Sequence, residues 1–256
     1  MIRKQVLFGL LATSLVLFSM ACQEKNTEEK AVKDAAVIAE ETVGADLMPA
    51  WAVNANIYEV NIRQYTPEGT FNAFAEHLDR LNNMGVKMLW LMPIYPISTT
   101  KKKGSLGSYY AVSDYTAVNP EFGTAEDFKN LIDKIHALDM KVILDWVPNH
   151  TGWDHVWIEE HPEYFTHVAD TITHPFMNGE PTDWYDVAEL DFDNMDMREE
   201  MTQALEYWIT EYDVDGYRCD VAFEVPDDFW DFAVSRMRAI KPVFMLAEAE
   251  HPPHRN

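Results

Sequence analysis

Cysteine is nearly missing from this 256-residue chain, which carries only Cys22 and Cys219. Two cysteines so placed exclude a disulfide framework and a cysteine-built structural zinc site. Glycine is also scarce, with ten residues, and no glycine-rich phosphate loop opens any expected helix. Positive charge is short: 20 Lys and Arg stand against 43 Asp and Glu, a formal charge of -23. That balance argues against nucleic acid, or an anionic membrane, bound through a basic surface, and leaves neutral partners such as sugars open. Long apolar runs are missing too. The longest, "VLFGLLATSLVLFSMA", is shorter than the roughly 20 residues that a bilayer-spanning helix needs.

That run has a different use. Arg3 and Lys4 precede it, Cys22 ends it, and the polar "QEKNTEEKAVKD" follows; this is the layout of a secretory signal peptide. A cysteine directly after small residues resembles a bacterial lipoprotein processing site, although Ser19 stands where leucine is usual. The expectation is a signal peptide over 1–21, a tether over 22–48 whose Cys22 carries the membrane-anchoring lipid, and a bacterial cell-envelope location. Residues 23 to about 48 are charged, alanine-rich and free of aromatics, as a tether requires.

From Trp51 the pattern changes. "NIYEVNIRQY" predicts a strand and "TFNAFAEHLDRLNNMG" one amphipathic helix closed by Gly85. The strand "VKMLWLMPIYP", a helix from about Thr124 to Leu138 with a capping threonine, and the strand "KVILDWVPNH" follow. An irregular stretch, 147 to about 190, is too long for an ordinary loop and predicts a small inserted subdomain. Helices over about 195–212 and 227–240 then alternate with the strands "VDGYRCD" and "VFMLAEAE". Such alternation predicts an α/β fold with a parallel sheet, which is either a doubly wound open sheet or part of an eight-stranded barrel.

Three expected strands end in carboxylates: Asp145 in "ILDWVPNH", Asp220 in "GYRCD" and Glu248 in "LAEAE". In parallel α/β folds the carboxyl ends of the strands face the ligand site, so the three acids converge there. Arg218 shares the face of Asp220 because side chains alternate along a strand, and its charge is expected to hold Asp220 ionised at a lowered pKa. An ionised Asp220 in turn favours a protonated Glu248. Neighbouring strands lie about 4.8 Å apart. If the fourth and fifth strands are neighbours, this spacing matches the roughly 5 to 5.5 Å carboxyl separation of retaining glycosidases, with Asp220 as nucleophile and Glu248 as acid/base.

These motifs together resemble the α-amylase superfamily of retaining glycoside hydrolases, family 13, over about residues 54 to 250. "DWVPNH" resembles the family's Asp-x-x-x-Asn-His, "GYRCD" its Gly-x-Arg-x-Asp, and "LAEAE" its fifth-strand glutamate. The resemblance implies a (β/α)8 TIM barrel, present here as roughly its first five βα units with the insertion after the third strand, and an α-1,4-glucan as substrate. It implies Asp220 as nucleophile, Glu248 as acid/base, Arg218 beside the nucleophile, His150 as a ligand of sugar hydroxyls and Asp145 as a structural acid near Arg218. Tyr110, in "SYYAVSDYTAVNPEFGT", resembles the tyrosine on which the sugar stacks. "DVAFEV" departs from the amylase Lys-His pair with Phe223 and Glu224 and is closer to the neopullulanase and cyclomaltodextrinase branch.

Asn149 resembles a calcium-ligand position, which leaves calcium open, but Glu189 stands where aspartate is expected, and only one or two of the six to eight oxygens that calcium needs can be named. His150 and His155 lack the spacing for zinc on one helical face. Lys101 to Lys103 are expected to form a solvated loop tip, with a role at the substrate as the alternative. The resemblance places the family's third catalytic carboxylate on a seventh strand, so the sequence is expected to be part of a longer reading frame and nearly inactive alone; the alternative is a partial barrel whose open edges something else covers. A transglycosylase or isomerase with the same intermediate, and a glycan-binding lipoprotein without catalysis, are the alternatives.

Overall fold

The computed structural model describes residues 48–177 and 179–249. The signal peptide, the Cys22 lipid site and all but the last residue of the tether lie outside the described residues. The described residues from Pro49 onward form one compact unit.

Five strands, Ile57–Val60, Met88–Leu91, Lys141–Trp146, Gly216–Cys219 and Phe244–Ala247, lie side by side in chain order, and every neighbouring pair is parallel. The fourth and fifth strands are therefore neighbours, with Arg218 beside Leu246 and Cys219 beside Ala247. Helices Ala125–Ala137, Met195–Tyr212 and Asp227–Ile240 fill the later connections, so the later neighbouring strands are joined as βαβ units.

Both faces of the sheet are apolar. On one, Leu89, Leu91, Leu144, Trp146 and Tyr217 pack with Phe71, Phe128 and Trp208; on the other, Met88, Ile143 and Phe244 meet Ala52, with Trp51, Trp90 and Leu246 against them. Burial on two faces is why the strand sequences read as nearly continuous apolar runs. Gly216 is required where the fourth strand meets the fifth. Its φ is +151°, and a Cβ there would lie 1.8 Å from the carbonyl oxygen of Phe244.

Two expected elements differ. The first strand stops at Val60, because the Asn61 side chain accepts the Gln64 N–H and starts a short helix, Ile62–Tyr65. The single helix expected over 70–85 is two pieces, Phe71–Ala75 and Leu78–Asn83. Between them the His77 N–H bonds back three residues to Phe74 O at 2.9 Å, a tighter turn than the α-helix allows. By contrast, Thr124 and Asp127 close a reciprocal capping box on the helix Ala125–Ala137.

The insertion after the third strand holds the short helices Val156–Glu160 and Pro162–Tyr164 and three small antiparallel pairs: His150–Gly152 with Val187–Glu189, His167–Val168 with Thr171–Ile172, and Phe176–Met177 with Glu180–Pro181. It is fastened to the loop after the second strand. Asp154 Oδ2 accepts the Thr99 N–H at 2.8 Å, the Thr99 hydroxyl at 3.0 Å and the Thr100 N–H at 3.3 Å.

At the amino ends of the third and fourth strands, the buried carboxylate of Asp215 accepts the Val142 N–H at 3.0 Å and meets His136 Nε2 at 2.8 Å, Lys141 Nζ at 3.2 Å and Lys241 Nζ at 3.3 Å. Burial works to raise its pKa, yet these partners outweigh it and hold the carboxyl below its ordinary value.

Candidate active site

At the opposite ends of the strands, three carboxylates meet one guanidinium. Arg218 Nη1 donates to Asp145 Oδ1 at 2.9 Å and to Asp220 Oδ1 at 3.0 Å, while Nη2 pairs with Glu248 Oε2 at 2.8 Å. The sheet register explains it. Asp145 and Arg218 are directly paired across the third and fourth strands, and the Glu248 N–H bonds to Cys219 O at 3.0 Å, extending the fifth strand's ladder to the acid.

Asp145 is wholly buried. Its second oxygen takes the Trp90 Nε1–H at 3.1 Å and the Tyr110 hydroxyl at 3.3 Å, and the Trp90 ring lies 5.0 Å from the Arg218 guanidinium. Burial nonetheless pushes the Asp145 carboxyl up to about 7, against Arg218 and these donors. Burial, and then the Asp145 charge, likewise push Asp220 up to about 7. This corrects the expectation that Arg218 holds Asp220 at a lowered pKa. Arg218 does act in that direction, but its charge is divided among three acids while desolvation acts on Asp220 in full.

Val221 follows Asp220 with φ +46°, a left-handed backbone that a β-branched residue rarely adopts. The turn aims the Val221 N–H at Glu248 Oε2, 2.9 Å away. Glu248 Oε2 is thus fixed by two donors, Arg218 Nη2 and the Val221 N–H.

A cavity of about 340 Å³ opens over these groups. Tyr110, His150, Asp220 and Glu248 line it; Arg218 and Asp145 do not, and act on it through Asp220 and Tyr110. The structure thus brings all six candidate residues together, four at the cavity and two in its support. His150 is buried, and burial pushes its imidazole down to about 4, so it meets a ligand as a neutral ring.

The sequence reasoning missed several lining residues. Trp184, Asp186 and Met177 come from the insertion, and Lys103 from the loop after the second strand. Lys103 is not the solvated loop tip expected of it: Nζ bonds to Asp183 O at 2.6 Å and to Asp186 Oδ1 at 3.2 Å. Only the Trp and Asp richness of 147–190 hinted at these contacts. Trp90 was detectable in principle, since it alternates with Met88 onto the inner face.

Among the described residues no three His, Cys, Asp or Glu side chains group as metal ligands. Asn149 is buried against His150 Nδ1 at 3.3 Å, and Glu189 Oε1 accepts the Phe176 N–H at 3.2 Å. These two side chains alone fall short of the six to eight oxygens that calcium takes. His155 Nδ1 accepts the Trp157 N–H at 3.2 Å as a helix cap, so it does not join His150 around a metal.

A strand-end acid pair at a sugar-sized cavity calls for comparison with known enzymes. The model of the alpha-amylase catalytic domain matches residues 25–189. The chain belongs to the α-amylase family. Alpha-amylase 3 of Dictyoglomus thermophilum is 34% identical over 226 residues, covering 77% of this chain and 44% of that protein. The alpha-1,4-glucan:maltose-1-phosphate maltosyltransferase of Arcanobacterium haemolyticum is 33% identical, covering 72% and 29%. Among solved structures, an alpha-amylase from Lactobacillus plantarum superposes with a TM-score of 0.72 at 44% identity, covering 77% of this chain and 45% of that one. The alpha-amylase of Geobacillus thermoleovorans, complexed with acarbose, gives 0.65 at 27% identity, covering 77% and 47%. This α-amylase-family chain spans less than half the length of these relatives. Its five-stranded sheet corresponds to part of their (β/α)8 barrel.

Proposed function

We propose that this chain supplies the nucleophile and the acid/base of a retaining α-glucan hydrolase that cleaves α-1,4-glucosidic bonds through a covalent glycosyl-enzyme intermediate. One observation carries the reading: Asp220 and Glu248, from the ends of adjacent parallel strands, both bind one guanidinium beside one cavity. Their anchoring on Nη1 and Nη2 of one guanidinium, at the ends of neighbouring strands, supports the shorter retaining separation over the wider inverting one.

In this reading the ionised Asp220 attacks the anomeric carbon as Glu248 Oε1 protonates the departing glucosidic oxygen. Glu248, now ionised, then takes a proton from water, which hydrolyses the glycosyl ester and restores both acids. Arg218 stabilises Asp220 as a carboxylate and as the leaving group of the second step. Tyr110 offers the apolar face of a sugar an aromatic wall, while neutral His150 bonds to its hydroxyls.

The acarbose complex of the Geobacillus relative supports an α-glucan as ligand. A transferase or isomerase using the same intermediate is the second reading, favoured by the maltosyltransferase similarity. The test is adduct trapping in the full-length protein with a fluorinated glucosyl fluoride. A mass increment on the peptide bearing Asp220, with retained anomeric configuration by NMR, is expected. Tight glucan binding with no adduct would instead identify a non-catalytic glycan-binding protein.

We further propose that Cys22 carries a lipid and that 22–48 tethers the enzyme to a bacterial envelope membrane. The support is the sequence layout alone. Fatty-acid labelling that survives Cys22→Ser would refute it.

A further inference from the structure

We propose that Lys103 is a positioning residue that clips the segment 183–187 across the cavity mouth and thereby sets the affinity for sugar, an inference that rests on the α-glucan reading above. Three residues of one four-residue stretch of the insertion, Asp183, Tyr185 and Asp186, hang on its one ammonium group. Nζ donates to Asp183 O at 2.6 Å, lies 4.6 Å from the centre of the Tyr185 ring, and pairs with Asp186 Oδ1 at 3.2 Å. Asp186 is only 4% exposed, so its carboxylate depends on that cation; a buried acid stripped of its partner is strongly unfavourable.

Between these anchors sits Trp184, which lines the cavity and packs on His150 at 5.8 Å between ring centres. The segment is held otherwise by Trp153, whose Nε1–H bonds to Tyr185 O at 2.9 Å. Trp153 is itself covered by Lys101 from the same loop, with Nζ 3.2 Å from the ring centre. One short loop thus supports both props of the segment.

Trp184 is a large flat side chain beside the neutral imidazole, suited to the apolar face of a sugar ring, and such a wall acts only if it is held in place. Lys103 also lines the cavity, and its cation is committed to the insertion by three contacts. Removing it frees Trp184 to move without touching Asp220 or Glu248.

The experiment compares the full-length wild type, Lys103→Met and Lys103→Arg by amide hydrogen exchange without sugar and by calorimetric titration with maltotriose. The Val187 N–H, which donates to Trp184 O at 3.2 Å, should exchange at least about tenfold faster in Lys103→Met. Maltotriose affinity should fall about five- to tenfold, the range of one aromatic contact. In turnover by the full-length protein the change should appear in KM with kcat within about twofold. Lys103→Arg should restore both exchange and affinity, which a mere loss of fold would not allow. Should Lys103→Met fail to fold, Asp186→Asn, which keeps the side-chain shape and discharges the pair, is expected to give the same two changes. Unchanged Val187 exchange, or faster exchange with unchanged affinity, overturns the proposal. If wild type itself does not bind maltotriose, the glucan reading fails, and the exchange result still decides whether the clip exists.

Discussion

Replacing Arg218 with methionine tests the central cluster most directly, because its cost must depend on pH. In the wild type, burial pushes Asp145 and Asp220 each to about 7, above the ordinary carboxylate value of about 4. A carboxyl raised in the native state binds more protons folded than unfolded between those two values. Native stability therefore falls as pH rises from about 4 to about 7, and levels off above. A displacement of about three units corresponds to about 4 kcal/mol for one carboxyl; the two share Arg218 Nη1 and titrate as a pair, so the sum is less than double. Without Arg218 both acids rise further and the window extends past neutrality. At pH 8.5, where the acids are forced to ionise without their cation, Arg218→Met should cost about 3 to 5 kcal/mol. At pH 5.5, with both protonated, an apolar side chain of similar length should cost less than about 2 kcal/mol. Urea unfolding at the two pH values measures the difference. An equal cost at both would mean that the carboxyls are not raised, and the account of the cluster would fall.

Four further outcomes are expected. The acid limb of kcat/KM should lie near pH 7 and rise with pH, since the nucleophile must be ionised; Asp145→Asn should move it to lower pH by removing the charge that raises Asp220. A limb near 4 in wild type contradicts this. Asp215→Asn should cost about 1.5 to 3 kcal/mol at neutral pH; because that carboxyl is depressed, the deficit should shrink as pH falls below the ordinary carboxylate value, as Tm against pH will reveal. Gly216→Ala should destabilise by more than about 3 kcal/mol, since its Cβ meets Phe244 O, whereas Gly85→Ala, with φ +86° and open space, should cost only about 1 to 2 kcal/mol. Tyr110→Phe should weaken maltotriose binding less than about threefold by calorimetry, and Tyr110→Ala more than tenfold, because the ring and not the hydroxyl is assigned to the sugar.

Much of the barrel was legible before the structure. Strand ends at Asp145, Asp220 and Glu248, and helices at 195–212 and 227–240, follow from local pattern: apolar runs, periodicity, and acids or caps at helix starts. The convergence of the three acids followed from one rule about parallel sheets. What remained hidden depends on contacts distant in sequence. The pKa of Asp220 is set by how deeply the fold buries it and by Asp145, 75 positions earlier; Lys103 reaches Asp183 across 80 residues. The break near His77 is a local turn that amphipathic periodicity does not register, since Phe71, Phe74, Leu78 and Leu81 are all buried on either side of it.

The clasp of Asp154 on Thr99 and Thr100 bears on how such enzymes can be recombined. One oxygen collects three donors from the other excursion, so each excursion helps to fix the other. A chimera that takes the insertion from one homologue and the preceding loop from another would mismatch this joint. Residues 98–108 and 147–190 form a single exchangeable cassette, and swaps respecting that boundary should transfer ligand preference intact.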